Sequence, residues 1–277
     1  MLIHSSQNID NETARTFFAD IDRFPESVYV INWKTERNFP EHTHRKGQLI
    51  YIEGGIAYIH LTDKTLVIPA RHYVWIPAGM SHFVEMHKSA ITRTLYFYGH
   101  DDSIHSFYTK GGIYPINNLL LEMLIYSERW NGDVMPGEKD FSFLAGIKSI
   151  LPEISKKALP VILPTTRNNR MRPVLEYMNA HLTEPLTLTL VSTQMGFSER
   201  TLSRLFQSTL HISFLQYFKL LKMVKAIELM LQTDSSMSEI AYSLGYNSLP
   251  AFSAIFYQLT KTRPSEFRKL LATNLHA

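Results

Sequence analysis

Two histidines separated by one residue are the first side chains in this sequence that could do chemistry. If His42 and His44 lie on a β-strand, they project from the same face, because side chains alternate along a strand. Gln48 follows four residues after His44. Neutral imidazoles bind divalent ions such as Zn²⁺, Fe²⁺, Mn²⁺ and Ni²⁺, and the amide of Gln48 could add a weak ligand. The same side chains also occur in polar pockets for organic molecules and in hydrogen-bonded cores, so all three roles stay open.

A second chemical pattern occurs twice towards the end of the chain, in Ser192–Phe206 and in Ala241–Phe256. Each copy has a small residue, a glycine four residues later, an aromatic residue, and then a serine. Glycine relieves the crowding of a tight turn, and the serine caps the helix that follows. The pattern predicts two helix-turn-helix motifs, and the second helix of such a motif can enter the DNA major groove.

The elements that must position these groups change in type along the chain. Short runs of β-branched and aromatic residues between positions 28 and 98 are punctuated by turn residues, which favours a barrel or sandwich of strands. Helical spacing of apolar residues follows. It predicts helices over Ile116–Arg129, Phe141–Ile154, Met171–Leu182 and Phe214–Leu231.

The predicted fold is therefore α+β with two domains. The first covers residues 1–158, with a barrel or sandwich of strands at about 28–98 and helices at about 114–156. The proline-containing segment 159–169 is predicted as a linker. Residues 170–277 then form an all-α module that carries both motifs.

Charge is distributed unevenly over the 277 residues. From Thr165 onward there are 12 Lys and Arg against 7 Asp and Glu, whereas the preceding part has 16 against 18. A basic second part suits a polyanionic partner such as DNA. The chain has no cysteine, which excludes disulfides and thiolate metal sites. Neither a signal peptide nor a membrane-spanning segment is evident, so we expect a cytoplasmic protein without a membrane partner.

Residues from about 170 to 270 resemble the AraC/XylS family of transcription regulators. The resemblance rests on Gly196-Phe197-Ser198, Ile240-Ala241, Gly245-Tyr246-Asn247-Ser248, Ala251-Phe252 and Arg263-Pro264-Ser265-Glu266-Phe267-Arg268. It implies two helix-turn-helix motifs bridged by one long helix. It also implies a protein that binds promoter DNA in a sequence-specific way and is not an enzyme.

The resemblance assigns DNA contacts by position. In the first recognition helix it assigns Arg200, Ser203 and Arg204, of which the arginines can read guanine. The alternative is that an arginine contacts a phosphate or the neighbouring Glu199. The second recognition helix lacks the family's usual basic residues, so we expect it to position the module. The residues assigned there and on the connecting helix are Ser248, Leu249, Pro250, Ser253, Ala254 and Lys222.

Lys222 lies on the connecting helix, where it is a candidate for a phosphate contact or a solvated side chain.

Residues 28–98 resemble the cupin-like barrel that precedes the DNA module in one AraC-type subgroup. The similar stretches are Pro40–Gln48 and Trp75–His82. The resemblance implies that His42, His44 and His82 converge inside a barrel, with Gln48 where cupins carry a carboxylate. These four residues and Trp75 are the predicted ligand-binding residues, and the three histidines could hold a divalent metal.

The expected function is a one-component transcription regulator whose barrel senses a small-molecule effector or a metal. Aromatic residues that could line an organic pocket are Trp33, Tyr51, Tyr58, Trp75, Phe83, Tyr96 and Tyr98. The main alternative is a metal-dependent cupin enzyme fused to a DNA-binding module, although Gln48 replaces the expected carboxylate. A third interpretation is a regulator whose barrel binds no ligand and serves assembly.

A homodimer is the expected assembly, and RNA polymerase is a further candidate partner. The predicted dimer face lies on the helix Ile116–Arg129, where apolar residues recur at helical spacing. That face consists of Leu120, Met123, Leu124 and Ser127. The alternative is that the same face packs on its own barrel.

Overall fold

Strands predominate over helices in the first part of the chain, and the last part is helical. The computed structural model describes residues 7–33, 37–53, 56–87, 92–156, 158–159, 162–166 and 168–272. The chain divides into two compact units, one formed by Met1–His60 and Ile68–Leu159 and the other by Leu61–Val67 and Pro160–Ala277. The predicted two-domain α+β class is confirmed, with a sheet-rich first part and a helical second part.

The first unit contains two sheets. Its strands are β1 (Gln7–Asn8), β2 (Val28–Trp33), β3 (Arg37–His42), β4 (Gly47–Ile52), β5 (Ile56–His60), β7 (His72–Ile76), β8 (His82–His87), β9 (Thr92–Phe97), β10 (Gly112–Pro115) and β11 (Gly132–Val134). The strand β6 (Lys64–Pro69) begins in the second unit and ends in the first. One sheet has the order β10-β7-β4-β9-β2-β11, and the other contains β1-β3-β8-β5. Neighbours are antiparallel except β1 and β3, which are parallel.

The described part of the first unit has three α-helices: α1 (Asn11–Ile21), α2 (Asn118–Tyr126) and α3 (Phe141–Ile154). The core between the sheet of β4, β7 and β9 and the helices is formed by large apolar side chains. It includes Leu49, Tyr51, Tyr73, Trp75, Leu95 and Phe97 from the strands and Leu120, Leu124, Leu144, Ile147 and Leu151 from the helices.

The prediction that one face of α2 forms a dimer contact is wrong for the residues named. As the alternative interpretation had it, that face packs inside its own unit. Leu120, Leu124 and Ser127 are fully buried within the first unit, and Met123 packs against the same core. The strands present an apolar face that must be covered, and α2 covers it. The apolar side chains of α2 that remain exposed are Leu119, Ile125 and Tyr126.

The second unit is built from seven helices in its described part. They are α4 (Arg172–Ala180), α5 (Leu188–Gln194), α6 (Glu199–Leu210), α7 (Phe214–Gln232), α8 (Met237–Ser243), α9 (Leu249–Thr260) and α10 (Pro264–Ala272). Gly196 and Gly245 have φ of +69° and +74° in the two turns, a conformation that favours glycine. Ser198 and Ser248 accept a hydrogen bond from the backbone N–H three residues later, as the sequence predicts for helix caps.

The segment predicted as a linker contains a further strand, β12 (Ile162–Pro164). It pairs antiparallel with β6, with Leu66 opposite Ile162. Because Pro164 donates no backbone hydrogen bond, it is compatible with the end of a strand and not with a central position. Local composition reveals the prolines but not a partner almost a hundred positions away.

Candidate ligand and nucleic-acid binding sites

Two neighbouring strands and a loop bring the three histidines together. His42 ends β3 and lies opposite His82, the first residue of β8, while His44 follows β3 in the loop to β4. One ring nitrogen of each histidine lies within 4.8 Å of the corresponding nitrogens of the other two. His44 and His82 are 2% and 1% exposed, so the cluster is shielded from solvent.

Backbone carbonyls fix the orientation of each imidazole. Nδ1 of His42 lies 2.7 Å from the carbonyl oxygen of Pro40, Nδ1 of His44 lies 2.6 Å from that of Lys46, and Nδ1 of His82 lies 2.9 Å from that of Met80. A carbonyl only accepts, so Nδ1 carries the proton in each ring. Burial lowers the pKa of His42 to about 4 and also lowers the pKa values of His44 and His82, which keeps the rings neutral. Each Nε2 therefore presents a lone pair.

Gln48 brings a fourth polar atom to the cluster from the second position of β4. Its Oε1 lies 3.0 Å from Nε2 of His44 and 3.1 Å from Nε2 of His82. Its amide nitrogen donates a hydrogen bond of 2.8 Å to the hydroxyl of Tyr96. Nε2 of His42 is buried and has no hydrogen-bond partner among the described residues. Three imidazole nitrogens and an amide oxygen are a ligand set that suits Zn²⁺ and neighbouring transition metals, so the residues fit a metal.

The helix α1 adds a side chain to the cluster that the sequence analysis missed. The ring of Phe18 stacks on His42 with 3.7 Å between centroids and 13° between planes. Beside it, a groove of about 410 Å³ is lined by residues of α1 and of the segment Pro40–Thr43, including His42. Asp10 caps α1, and Ala14, Phe18 and Ile21 are buried at helical spacing. That cap and spacing are the sequence signal that predicts α1.

Trp75, predicted as a ligand-binding residue, does not lie with the histidines. It is directly opposite Leu49 in the sheet, and both side chains enter the core formed with α2 and α3. Gln48 is adjacent to Leu49 in β4 and therefore points to the other face. Among the described aromatic residues proposed for a pocket, Tyr96 does contact the cluster, through Gln48 and at 5.0 Å from the ring of His44.

In the second unit, α6 buries one face and exposes the other. Leu202, Phe206 and Leu210 are buried in the core of the unit. The opposite face carries the predicted DNA contacts Arg200, Ser203 and Arg204, which are exposed, together with the exposed Gln207. Sequence reasoning missed Gln207, although it follows Arg204 by three positions and therefore shares its face.

Both arginines are available to a partner. Within residues 168–272, which the structure describes without a gap, neither Arg200 nor Arg204 makes an ion pair or hydrogen bond. Glu199, the acid suggested as an alternative partner, instead accepts a hydrogen bond of 2.6 Å from the hydroxyl of Thr189.

The helix α9 repeats the backbone of α6 with a different surface. It buries Phe252, Phe256 and Thr260, and it contains no lysine or arginine. Its outer residues include Leu249, Pro250, Ser253, Ala254 and the half-exposed Tyr257. Most of these line an open groove of about 590 Å³ together with Met237 and the start of α10.

Lys222 lies on α7, next to the turn between α8 and α9. Its Nζ is 4.5 Å from the ring centre of Phe218 and 5.4 Å from that of Tyr246, and burial lowers its pKa. Ser248, also predicted as a DNA contact, uses its hydroxyl to accept from the backbone N–H of Ala251.

Comparison with known families identifies both units. The family model described as "AraC-like ligand binding domain" matches residues 24–110, and the one described as "Helix-turn-helix domain" matches residues 191–270. The chain belongs to the AraC family. Within this family, it is an AraC-type transcription regulator with a ligand-binding domain and a helix-turn-helix DNA-binding domain.

The chain is similar to two curated regulators and to one solved structure. The chain is 25% identical over 238 residues to the transcriptional regulator NimR of Escherichia coli K12, covering 86% of this chain and 85% of NimR. It is 31% identical over 113 residues to the regulatory protein PocR of Salmonella typhimurium, covering 41% of this chain and 37% of PocR. The structure of ToxT from Vibrio cholerae is 14% identical, with a TM-score of 0.38, and covers 88% of this chain and 94% of ToxT.

The curated relatives named here are regulators, and the alternative of a cupin enzyme finds no support in them. In the part of the chain that the structure describes, no helix is both long and apolar enough to cross a membrane.

Proposed function

We propose that this AraC-type regulator recognises its promoter mainly through α6, with Arg200 and Arg204 reading bases and α9 adding apolar contacts. The observation that carries the proposal is the pair of exposed guanidinium groups on the face of α6 opposite its buried residues. A guanidinium fork pairs with O6 and N7 of guanine, which is the commonest specific contact in the major groove. Each such pair contributes roughly 1–3 kcal/mol of discrimination.

A comparison of α9 with α6 explains why α9 should contribute less to base discrimination. Ser198 and Ser248 cap α6 and α9, so Arg200 and Arg204 correspond to Pro250 and Ala254. No long hydrogen-bond donor stands at those two positions of α9. Leu249 and Ala254 can contact the methyl group of thymine, and Ser253 can donate a hydrogen bond. The helix therefore positions the module and favours A·T pairs.

Effector binding in the first unit supplies the regulation. We infer that the histidine cluster and Gln48 bind the effector and that the protein has no catalytic role, since the named relatives are regulators. An effector shifts DNA binding when it favours one arrangement of the two domains or of a homodimer. RNA polymerase is the partner through which a promoter-bound regulator would act.

The test begins with a binding site selected from random DNA by the full chain. Arg204→Ala should then lose roughly 10- to 100-fold of the preference for the selected guanine over other bases, whereas Ser253→Ala should keep it. Arg172→Ala is a matched control, because it removes an exposed arginine of the same unit outside α6. Preserved preference in Arg204→Ala, with lost preference in Ser253→Ala, would reverse the roles of the two helices.

A further inference from the structure

We propose that Gln207 is a further base-reading residue of α6 and that it selects an adenine close to the guanine read by Arg204. Gln207 is exposed on the same face of the helix as the three predicted contacts. The inference deepens the proposed function and rests on it, because Gln207 reaches a base only if α6 lies in the major groove. It adds a second kind of base to the sequence that α6 recognises.

The position of Gln207 follows from the geometry of the helix. Each residue turns an α-helix by about 100° and advances it by about 1.5 Å. Gln207 is seven residues after Arg200, so the two side chains leave the helix within about 20° of each other and about 10 Å apart along its axis. The buried side chains Leu202, Phe206 and Leu210 lie on the other side. Gln207 therefore extends the exposed face by one further helical turn.

Arg200, Ser203, Arg204 and Gln207 have the spacing with which one helix reads bases along a groove. They occupy positions i, i+3, i+4 and i+7. The third helix of homeodomains contacts DNA in the major groove with four side chains at the same spacing. Base pairs are about 3.4 Å apart along the duplex, so an α6 that lies along the groove brings Gln207 to a base pair about one to three steps from that of Arg204.

The side-chain amide of Gln207 is available to DNA, whereas the hydroxyl donors beside it are used within the helix. Ser208 donates a hydrogen bond of 3.3 Å to the carbonyl oxygen of Leu205, and Thr209 donates one of 2.6 Å to the same oxygen. Gln207 makes no side-chain hydrogen bond with any residue that the structure describes. Within positions 205–210, it is therefore the residue whose side chain has both an unused donor and an unused acceptor.

A glutamine amide matches adenine among the four bases. Its oxygen accepts a hydrogen bond from N6 of adenine while its nitrogen donates one to N7, which gives a bidentate pair. Guanine presents two acceptors at the same edge, and these suit the guanidinium of arginine. The competing role is a contact with a phosphate, which uses the donor alone and carries no base preference.

The second motif has no equivalent of this glutamine. Ser198 and Ser248 cap α6 and α9, so Gln207 corresponds to Tyr257. Tyr257 is 53% exposed, and its single hydroxyl cannot form the bidentate pair. Selection of adenine by an amide therefore belongs to the half of the DNA site that α6 contacts.

The experiment measures the affinity of the full chain for its selected site and for a set of DNAs in which each base pair is changed in turn. Gln207→Ala should lose roughly 5- to 100-fold of the preference for adenine at one base pair and keep the guanine preference of Arg204. 7-Deazaadenine at that position lacks the N7 acceptor, so it should weaken binding by the unmodified protein and not by Gln207→Ala. Gln194→Ala is the matched control and should keep every base preference, because Gln194 is an exposed glutamine on α5.

Gln207→Glu tests the chemistry of the pair with a side chain of the same size. A carboxylate only accepts hydrogen bonds, so the preference at that base pair should change from adenine to cytosine, whose N4 donates. Unchanged base preferences in Gln207→Ala would overturn the inference. An equal loss of affinity for every DNA in the set would also overturn it, because that result is expected of a phosphate contact.

Arg204→Ala, measured on the same DNAs, separates the inference from the proposed function. If Arg204→Ala loses its guanine preference and Gln207→Ala keeps the adenine preference, the assignment of Gln207 fails and the proposed recognition by Arg204 stands. If Arg204→Ala keeps its guanine preference and Gln207→Ala loses the adenine preference, the assignment of Arg204 fails and that of Gln207 stands.

Discussion

In the proposed DNA interface, the roles of charge and geometry can be tested separately at Arg204. Lysine at this position keeps the positive charge but lacks the planar fork that pairs with two guanine acceptors. We predict that Arg204→Lys binds its site with a nearly unchanged salt dependence and with a loss of roughly 1–3 kcal/mol in guanine discrimination. Affinity measured on DNA with 7-deazaguanine checks this, because that base lacks the N7 acceptor.

The unmodified protein should bind DNA more weakly when 7-deazaguanine replaces the guanine that Arg204 is proposed to read. The affinity of Arg204→Lys should change much less. An equal response of both proteins would show that Arg204 contacts a phosphate and not the base.

Ala254 and its neighbours on α9 lead to a prediction about thymine. Replacing thymine by uracil removes one methyl group, and burial of such a group contributes about 0.8 kcal/mol. We therefore expect about a fourfold loss of affinity when uracil replaces a thymine that α9 contacts. Ala254→Gly should remove most of this dependence. Uracil substitution in the segment bound by α6 is the control, and an effect only there would contradict the assignment.

The sequence predicts the exposed face of α6 more completely than it predicts the histidine cluster. The position of Arg200, Arg204 and Ser203 on one exposed helix face follows from the spacing of the buried Leu202 and Phe206. The orientation of the imidazoles does not, because it depends on backbone carbonyls whose direction no spacing reveals. The place of Trp75 could not be settled either, since either face of a buried strand is apolar.

At the scale of helices, α6 and α9 share an unusual ending. His211 and Lys261 follow them with φ of 57° and 60°, in the left-handed region that costs an L-residue roughly 1–2 kcal/mol. We predict that His211→Gly and Lys261→Gly each stabilise the second unit, by about 0.5–1 kcal/mol once the greater freedom of glycine in the unfolded chain is included. Urea unfolding followed by helical circular dichroism measures this.

Ser208→Gly is the matched control, because Ser208 is exposed within α6 at a helical conformation. Glycine there should lower the stability by up to about 1 kcal/mol. A loss of stability in His211→Gly as well would show that the strained conformation is not the dominant effect.

Elements were predicted where the pattern is local and missed where it is not. The helices of the second unit follow from caps, glycines and apolar spacing. The strand β3 contains Pro40, and β8 mixes histidines with Glu85, so neither resembles a buried strand in isolation. For α2, the spacing correctly indicates a buried face, but it does not say whether a sheet or a second chain covers that face.

For the whole molecule, buried histidines predict how stability depends on pH. Burial lowers the pKa of His72 to about 4, whereas the unfolded residue titrates near its usual value of about 6.5. As the pH falls below about 6.5 the unfolded chain gains the proton first, so stability is lost down to about pH 4. The full contribution of His72 is about 3 kcal/mol.

We predict that His72→Gln reduces the loss of stability between pH 7 and pH 4.5, even if it lowers the stability at pH 7. Tryptophan fluorescence in urea, with a chelator present, follows the first unit alone, because Trp33, Trp75 and Trp130 all lie there. His42, His44 and His82 remain in both proteins, so the difference between the two pH profiles reports His72. Identical profiles would contradict the prediction.

The division of the molecule into a strand-rich and a helical part could be predicted from composition and periodicity. What could not be predicted is the pairing of β12 with β6, because it joins Ile162–Pro164 to Lys64–Leu66 across most of the first unit's sequence. Pairings between distant segments depend on the completed fold, and local preferences carry little information about them.

If α6 and α9 both contact DNA as proposed, their unlike surfaces give the DNA site a direction. A site read by these two helices has a hydrogen-bonding end that faces arginines and an apolar end that faces Leu249 and Ala254. Such a site is not equivalent to its own inverse, so the bound protein points one way along the duplex. Turning the site around in a promoter would turn the regulator with it, and any surface that contacts RNA polymerase as proposed would then face the opposite way. From the proposed contacts we therefore expect the orientation of the site, as well as its base sequence, to affect regulation.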